Sequence, residues 1–290
     1  MPCHPASLLV RVARLFRRGD GVAIERTVQV EGPQSGDRRA LTVYLPPGYE
    51  DVPSRAWPLL VAHDGQDLDA WKLTVALARH HAAGGDTPVV AALHAGPDRL
   101  QDYGTRGTAN AQGHGARAAE FQMFVADTIL PRLRRRYRLR PGPAHTAVTG
   151  ASLGGLSAFD LAWGRPSVFG VAGAFSGSFW WRTADTDVAA QQASRIIHQR
   201  VRATAVKPAL RLWLQTGTHD EAMDRDGNGV IDAIQDTTEL IDELVAKGFR
   251  RGHDLAYLEI PRGEHKPATW ARALPDFLAW AFPPIPHEKL

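Results

Sequence analysis

The sequence predicts an α/β protein: one domain in which a mostly parallel sheet, opened by antiparallel N-terminal strands, carries helices on both faces. Three observations lead there. Short apolar runs alternate with segments of helical spacing, the runs are nearly continuous in aliphatic residues, and the 290 residues contain neither an internal repeat nor a linker-like stretch. Continuous apolar strands belong to sheets buried on both sides, the usual condition of parallel strands joined through crossover helices.

Taken in order, the runs at 27–30 and 41–45 flank the turn-rich 32–37 and read as an antiparallel pair, closed by Pro46-Pro47-Gly48-Tyr49. Further strands are expected at 57–62, 89–93, 145–149, 168–175, 210–215 and 255–260, with helices near 69–82, 115–136, 153–164, 236–248 and 268–281. Residues 94–115 form a long irregular segment, and such loops in compact domains are often functional. Residues 1–24 read as a basic N-terminal segment, 25–282 as the single domain and 283–290 as a tail. Within 1–20 a short surface helix is expected. Its apolar stretch 6–10 is broken by Arg11 and no small-residue cleavage site follows, which argues against a secretory signal and for a cytoplasmic location.

Composition narrows the function classes. Hydrophobic residues at 44% and charged residues at 22% are globular values, and no apolar run approaches the roughly 18 residues of a membrane span. The net charge of +3 comes largely from arginines clustered at Arg11, Arg14, Arg17 and Arg18 and at Arg132, Arg134, Arg135, Arg136, Arg138 and Arg140. The second cluster falls at the end of a helix, where cations suit the macrodipole, so it reads as a solvated face and no nucleic-acid partner is expected. Cys3 is the single cysteine, so no internal disulfide can form.

Between the 145–149 run and the following helix lies Gly150-Ala151-Ser152-Leu153-Gly154-Gly155. Small neighbours permit a sharp strand-to-helix turn that presents a serine, and the helix N-terminus behind it aims free N–H groups at developing negative charge. A glycine-rich turn with a capping serine would look the same, so partners elsewhere decide. In parallel sheets those partners stand beyond the carboxyl ends of the strands. After 210–215 comes Thr216-Gly217-Thr218-His219-Asp220-Glu221, and after 255–260 comes Pro261-Arg262-Gly263-Glu264-His265. Serine is a weak nucleophile until an imidazole takes its proton, and the imidazole needs a carboxylate to fix its tautomer and balance its charge. Ser152 is therefore the expected nucleophile, His265 the base and Asp220 the acid, with Glu221 as the alternative acid. That chain order is the order of α/β-hydrolases. Donors for the oxyanion are expected from the N–H of Leu153 and the N–H of Gln66, in the loop His63-Asp64-Gly65-Gln66-Asp67. His63 and Asp64 read as shaping that loop, with a general acid–base role as the alternative.

These residues sit in a wider pattern. Leu45-Pro46-Pro47-Gly48-Tyr49, His63-Asp64-Gly65-Gln66-Asp67-Leu68 and Arg99-Leu100-Gln101-Asp102-Tyr103-Gly104 belong to it, as do Phe124-Val125-Ala126-Asp127-Thr128-Ile129-Leu130-Pro131 with Tyr137-Arg138. So do the hexapeptide 150–155, Phe175-Ser176-Gly177-Ser178-Phe179-Trp180-Trp181, and Gly263-Glu264-His265 with Trp270. Over about 25–282 the chain resembles the esterase D-like branch of the α/β-hydrolases, which includes enterochelin, feruloyl and acetylxylan esterases, S-formylglutathione hydrolases and mycolyltransferases. The resemblance implies an α/β-hydrolase fold and the same assignment of Ser152, His265 and Asp220. Asp102 departs from it, since many relatives carry Glu before the Tyr. Trp180 and Trp181 are candidates for a substrate-stacking wall.

The segment 224–232 also meets the first part of a calcium-loop pattern, with Asp224, Asp226, Asn228 and Asp232 at oxygen-donor positions, the Val230 carbonyl at the seventh and Gly229 at the turn. The twelfth position holds Gln235 instead of Glu. A structural calcium ion is therefore expected there, and no cofactor for catalysis. The expected function is hydrolysis of a small-molecule or glycoside ester through an acyl-enzyme. Acyl transfer from the same intermediate and a catalytically silent binding protein are the alternatives.

Overall fold

The structure, a computed structural model, describes residues 16–17, 22–34 and 36–285. Cys3, Arg11, Arg14, Arg18, most of the 1–24 segment and the end of the 283–290 tail lie outside them. The chain enters through β1 (Phe16–Arg17), β2 (Ala23–Glu31) and β3 (Arg38–Leu45), which pair antiparallel. Phe16 and Arg17 are thus extended where a helix was expected. β2 would otherwise offer one open row of N–H and C=O groups, and pairing with β1 occupies part of it.

Next come β4 (Leu59–His63), α1 (Leu73–Ala82), β5 (Val89–Leu93) and the short α2 (Arg99–Asp102). α3 (Ala118–Met123) and α4 (Leu130–Arg136) flank a π-helical stretch, Phe124–Ile129. One uninterrupted helix was expected over 115–136. Pro131 has no N–H to give the carbonyl four residues back, and the wider turn preceding it absorbs that defect. Then follow β6 (Thr146–Ala151), α5 (Leu153–Gly164), β7 (Val171–Phe175), α6 (Val188–Ala193) and α7 (Ile196–Ala203). β8 (Arg211–His219), α8 (Asp232–Ala246), β9 (Leu255–Glu264) and α9 (Pro267–Ala281) complete the domain.

Among the described residues the nine strands form one sheet in the order β1-β2-β3-β5-β4-β6-β7-β8-β9. β3 meets β5 antiparallel, and every pairing from β5 through β9 is parallel. The expected architecture is the observed one. All residues of β4 and β6 are buried, because neighbouring side chains serve opposite cores. Leu59 and Val61 pack with residues of α3 to α5, α7 and α8, whereas Leu60 and Ala62 pack with residues of α1 and α9. Burial on both faces explains why these strands read as unbroken apolar runs.

Candidate active site

β6 ends at Ala151, and Ser152 turns the chain into α5 with φ 56° and ψ −126°. A non-glycine residue there costs about 1–3 kcal/mol and persists only where the surroundings fix it. They do: the Ser152 N–H donates to the Phe175 carbonyl at 2.9 Å, and its own carbonyl accepts from Gly155, Leu156 and Ser178 at 3.0, 3.1 and 3.1 Å. The flanking glycines answer to close approach. A Cβ on Gly150 would stand 2.6 Å from the Gly154 carbonyl, and one on Gly154 would stand 2.7 Å from Asp64 Oδ2. The Ser152 hydroxyl lies 3.4 Å from that of Ser178, a long contact.

At the end of β8, a register shift against β9 between Gly217 and His219 precedes Asp220, which is buried. Its Oδ2 accepts the Gly217 N–H at 3.0 Å, while its buried Oδ1 has no hydrogen-bond partner. His265 directly follows β9, and its ring stands edge-on to Trp270 with centroids 5.5 Å apart. The Trp270 indole N–H donates to Ser176 Oγ at 3.0 Å. Burial raises the Asp220 pKa, opposed by the Gly217 N–H, the Ser176 hydroxyl and His265. Burial likewise lowers His265, against the pull of Asp220. The imidazole is therefore neutral at neutral pH, as a proton acceptor must be, and the two groups are in electrostatic contact. Among the described residues the His265 side chain makes no hydrogen bond to Ser152 or to Asp220. Such bonds commonly tighten when substrate is bound. Glu221 instead faces the Ala233 N–H and the carboxylates of Asp232 and Asp236, which favours Asp220 as the group opposite His265.

On the other side of Ser152, β4 runs into Asp64, left-handed at φ 55°, and a 3₁₀ turn over Gly65–Asp67. The Asp64 N–H donates to the Tyr103 hydroxyl at 3.2 Å, and its carboxylate takes Arg99 Nε and Nη2, each at 2.7 Å. Gln66 Oε1 accepts the Ala95 N–H at 3.0 Å. Leu153, first residue of α5, has an N–H with no acceptor inside the helix. His63 is buried, with Nδ1 3.1 Å from the Gly154 carbonyl; a carbonyl only accepts, so Nδ1 carries the proton. Burial lowers its pKa to about 4 against the Gly154 bond. Both His63 and Asp64 are thus engaged in shaping the loop.

Trp181 is buried against Gly104 and Gly115, while Trp180 is 38% exposed, so of the two only Trp180 offers its ring to solvent. Asp102 is fully buried between Arg39 at 2.6 Å and Arg117 at 3.0 Å, and so ties the 99–104 segment to β3. Of the second arginine cluster, Arg140 forms two 2.7 Å bonds to Asp86, and Arg138 lies 4.0 Å over the Tyr49 ring. Ser176, Ser178 and the Asp64–Arg99 pair had no signal in spacing alone, because chain segments far apart in sequence bring them together.

In the 224–232 loop, Asp224 accepts the N–H groups of Asn228 and Gly229 at 3.1 and 2.8 Å, Asn228 Oδ1 accepts that of Val230 at 2.7 Å, and Asp232 accepts that of Arg225 at 2.9 Å. Gln235 donates to Asp226 Oδ2 at 2.8 Å. Among the described residues no three His, Cys, Asp or Glu side chains converge as a metal site.

A family model described as "Putative esterase" matches residues 33–281. The uncharacterized protein YbbA of Bacillus subtilis (strain 168) is 23% identical over 260 residues, 86% of this chain and 94% of that protein. A siderophore enterobactin esterase of Emericella nidulans is 32% identical over 109 residues, 38% of this chain and 35% of that protein. Among solved structures, a ferulic acid esterase matches with a TM-score of 0.68 at 16% identity, over 90% of this chain and 97% of that one.

Proposed function

The chain belongs to the family described as "Putative esterase", and from that premise we propose that it cleaves its ester through an acyl-enzyme on Ser152. Family and fold make it a carboxylic ester hydrolase. The observation that carries the finer reading is Ser152 itself, held at a positive φ of 56° at the head of α5, with Asp220 and His265 directly after β8 and β9 and interacting electrostatically.

In this mechanism Ser152 Oγ attacks the ester carbonyl carbon while His265 takes the hydroxyl proton. The Asp220 carboxylate, which accepts the Gly217 N–H, balances the imidazolium. The tetrahedral oxyanion is held by the N–H groups of Gln66 and Leu153, each worth about 2.7–4 kcal/mol in such sites. Collapse breaks the ester C–O bond, His265 returns the proton to the leaving alcohol, and water repeats the sequence to release the acid. The exposed Trp180 ring provides an apolar face for the acyl or alcohol group. The names of the relatives, enterobactin and ferulic acid esterases, direct the choice of substrates. Ser152→Ala is expected to abolish p-nitrophenyl acetate turnover. A panel of acetyl, feruloyl, siderophore-lactone and glutathione thioester substrates compared by kcat/KM then ranks the class. Transfer to an added alcohol in preference to water would move the reading to an acyltransferase, and turnover surviving in Ser152→Ala would refute it.

A structural calcium ion in the 224–232 loop is the second part of the proposal, supported by the oxygen-rich turn that Asp224 and Asn228 organise. Calcium would hold the loop and supply no chemistry. Melts of metal-stripped protein with and without added calcium are expected to differ by several degrees, and identical curves would remove the ion from the account.

A further inference from the structure

The two expected oxyanion donors sit on different segments, and the backbone does not join them. β4 and β6 are hydrogen-bonded in register only from Leu59–Thr146 to Ala62–Thr149. Beyond Thr149, Gly150 and Ala151 of β6 pair only with β7 before the elbow at Ser152, while His63 is paired on its other side, with Leu93 of β5. Gln66 and Leu153 each follow four residues after the last β4–β6 rung, Ala62–Thr149, on their own segments. No β4–β6 backbone bond spans the two segments that carry the expected donors. Among the described residues one side-chain hydrogen bond crosses between them: His63 Nδ1–H to the carbonyl of Gly154, 3.1 Å, joining residues 91 apart in sequence.

Resting on the proposed Ser152 mechanism, we propose that His63 is the positioning residue of the oxyanion hole, a side-chain rung that replaces the missing backbone ladder and fixes the Gln66 N–H against the Leu153 N–H. Its surroundings suit that task. The ring is held between Tyr103 and Phe121, with centroids at 5.3 and 5.4 Å, so it has little freedom to swing. Its Nε2 is buried without a partner, and burial keeps the ring neutral down to a pH of about 4. A neutral ring bonded to a carbonyl can hold only the Nδ1–H tautomer. The bond therefore keeps one form over the whole range in which an esterase with a neutral His265 works. The absent side chain of Gly154 lets Asp64 close in beside the same rung, and the Arg99 clamp on Asp64 holds the loop from behind.

The test compares His63→Leu, which fills the space without a donor, with His63→Asn, whose amide nitrogen takes the place of Nδ1. For a p-nitrophenyl ester, His63→Leu is expected to lose roughly 10- to 100-fold in kcat with KM within threefold. It should weaken binding of a trifluoromethyl ketone, which forms the tetrahedral adduct, by the same factor. His63→Asn should recover most of both. Equal kcat in wild type and His63→Leu would overturn the proposal, and so would a loss of kcat with no loss of ketone affinity, or an Asn variant as poor as Leu. If neither variant folds, the wild-type protein decides: ¹⁵N-histidine NMR must show the His63 proton on Nδ1, with a resonance that moves when the ketone binds. A proton on Nε2 would refute the rung. Ser152→Ala measured alongside separates the two readings, since its retained turnover would overturn the serine mechanism, whereas its inactivity with an unaffected His63→Leu would overturn the rung alone.

Discussion

Acidification is expected to unfold this protein partly through two buried histidines, and His198 isolates the effect. His198, on α7, donates from Nε2 to the Asp236 carbonyl at 2.9 Å. Burial and the neighbouring Arg195, Arg202 and Arg225 lower its pKa from 6.5 to about 3, while His63 falls from 6.5 to about 4. Between those values and 6.5 the unfolded chain binds more protons than the folded one. Stability is thus complete above about pH 7 and declines as pH falls through that window. At pH 5 both rings stay neutral in the fold while their unfolded counterparts charge. The cost is about 1.5 pKa intervals each, or ~2 kcal/mol per histidine at 1.36 kcal/mol per interval, so ~4 kcal/mol together. That magnitude depends only on both folded values lying below 5. The buried carboxylates Asp220, Glu221 and Asp236, whose pKa values are raised, act in the opposite direction, so the variant must be compared with wild type. His198→Leu keeps the apolar volume and removes one titration. The drop in Tm from pH 8 to pH 5, followed by calorimetry, should be about 4 °C smaller in the variant, at ~2 °C per kcal/mol. Equal drops in the two proteins would show that His198 is not held neutral.

Asp220→Asn is expected to lower kcat by about 10⁴ with substrate binding retained, whereas Glu221→Gln should change it only a few-fold; steady-state kinetics on both distinguishes the acids, and the reverse pattern would reassign them. The kcat/KM profile should lose activity on acidification with a midpoint below 6.5, because His265 must be neutral and burial lowers its pKa; a midpoint above 7 would mean that Asp220 outweighs burial. Gly150→Ala places a Cβ 2.6 Å from the Gly154 backbone and should cost about 1–3 kcal/mol in a denaturant melt, with loss of turnover, whereas a neutral result would mean that the elbow relaxes freely.

The parallel strands were legible because burial on both faces removes polar residues from them, and the candidate catalytic groups because each stands in the short segment just beyond such a run. Ser152, Asp220 and His265 needed only chain order and strand ends. α6 and α7 went unread: each is short, and no buried residue of α6 gives it an apolar stripe. The π-helical stretch 124–129 hides inside a correct helical period, since Pro131 perturbs hydrogen bonding and not the apolar pattern. β1 could not be read from two residues alone. Least legible was the wiring around the candidate site. Ser176 meeting Trp270, Asp64 meeting Arg99 and His63 meeting Gly154 are contacts between segments 94, 35 and 91 residues apart, which no local pattern announces.

The central claim, a covalent acyl-enzyme on Ser152, is tested most directly by mass spectrometry of protein quenched in acid during turnover of a slow p-nitrophenyl ester. The account predicts a single added acyl mass that maps to the peptide containing Ser152 and is absent from Ser152→Ala. An adduct on another residue, or an adduct unchanged in Ser152→Ala, would contradict it.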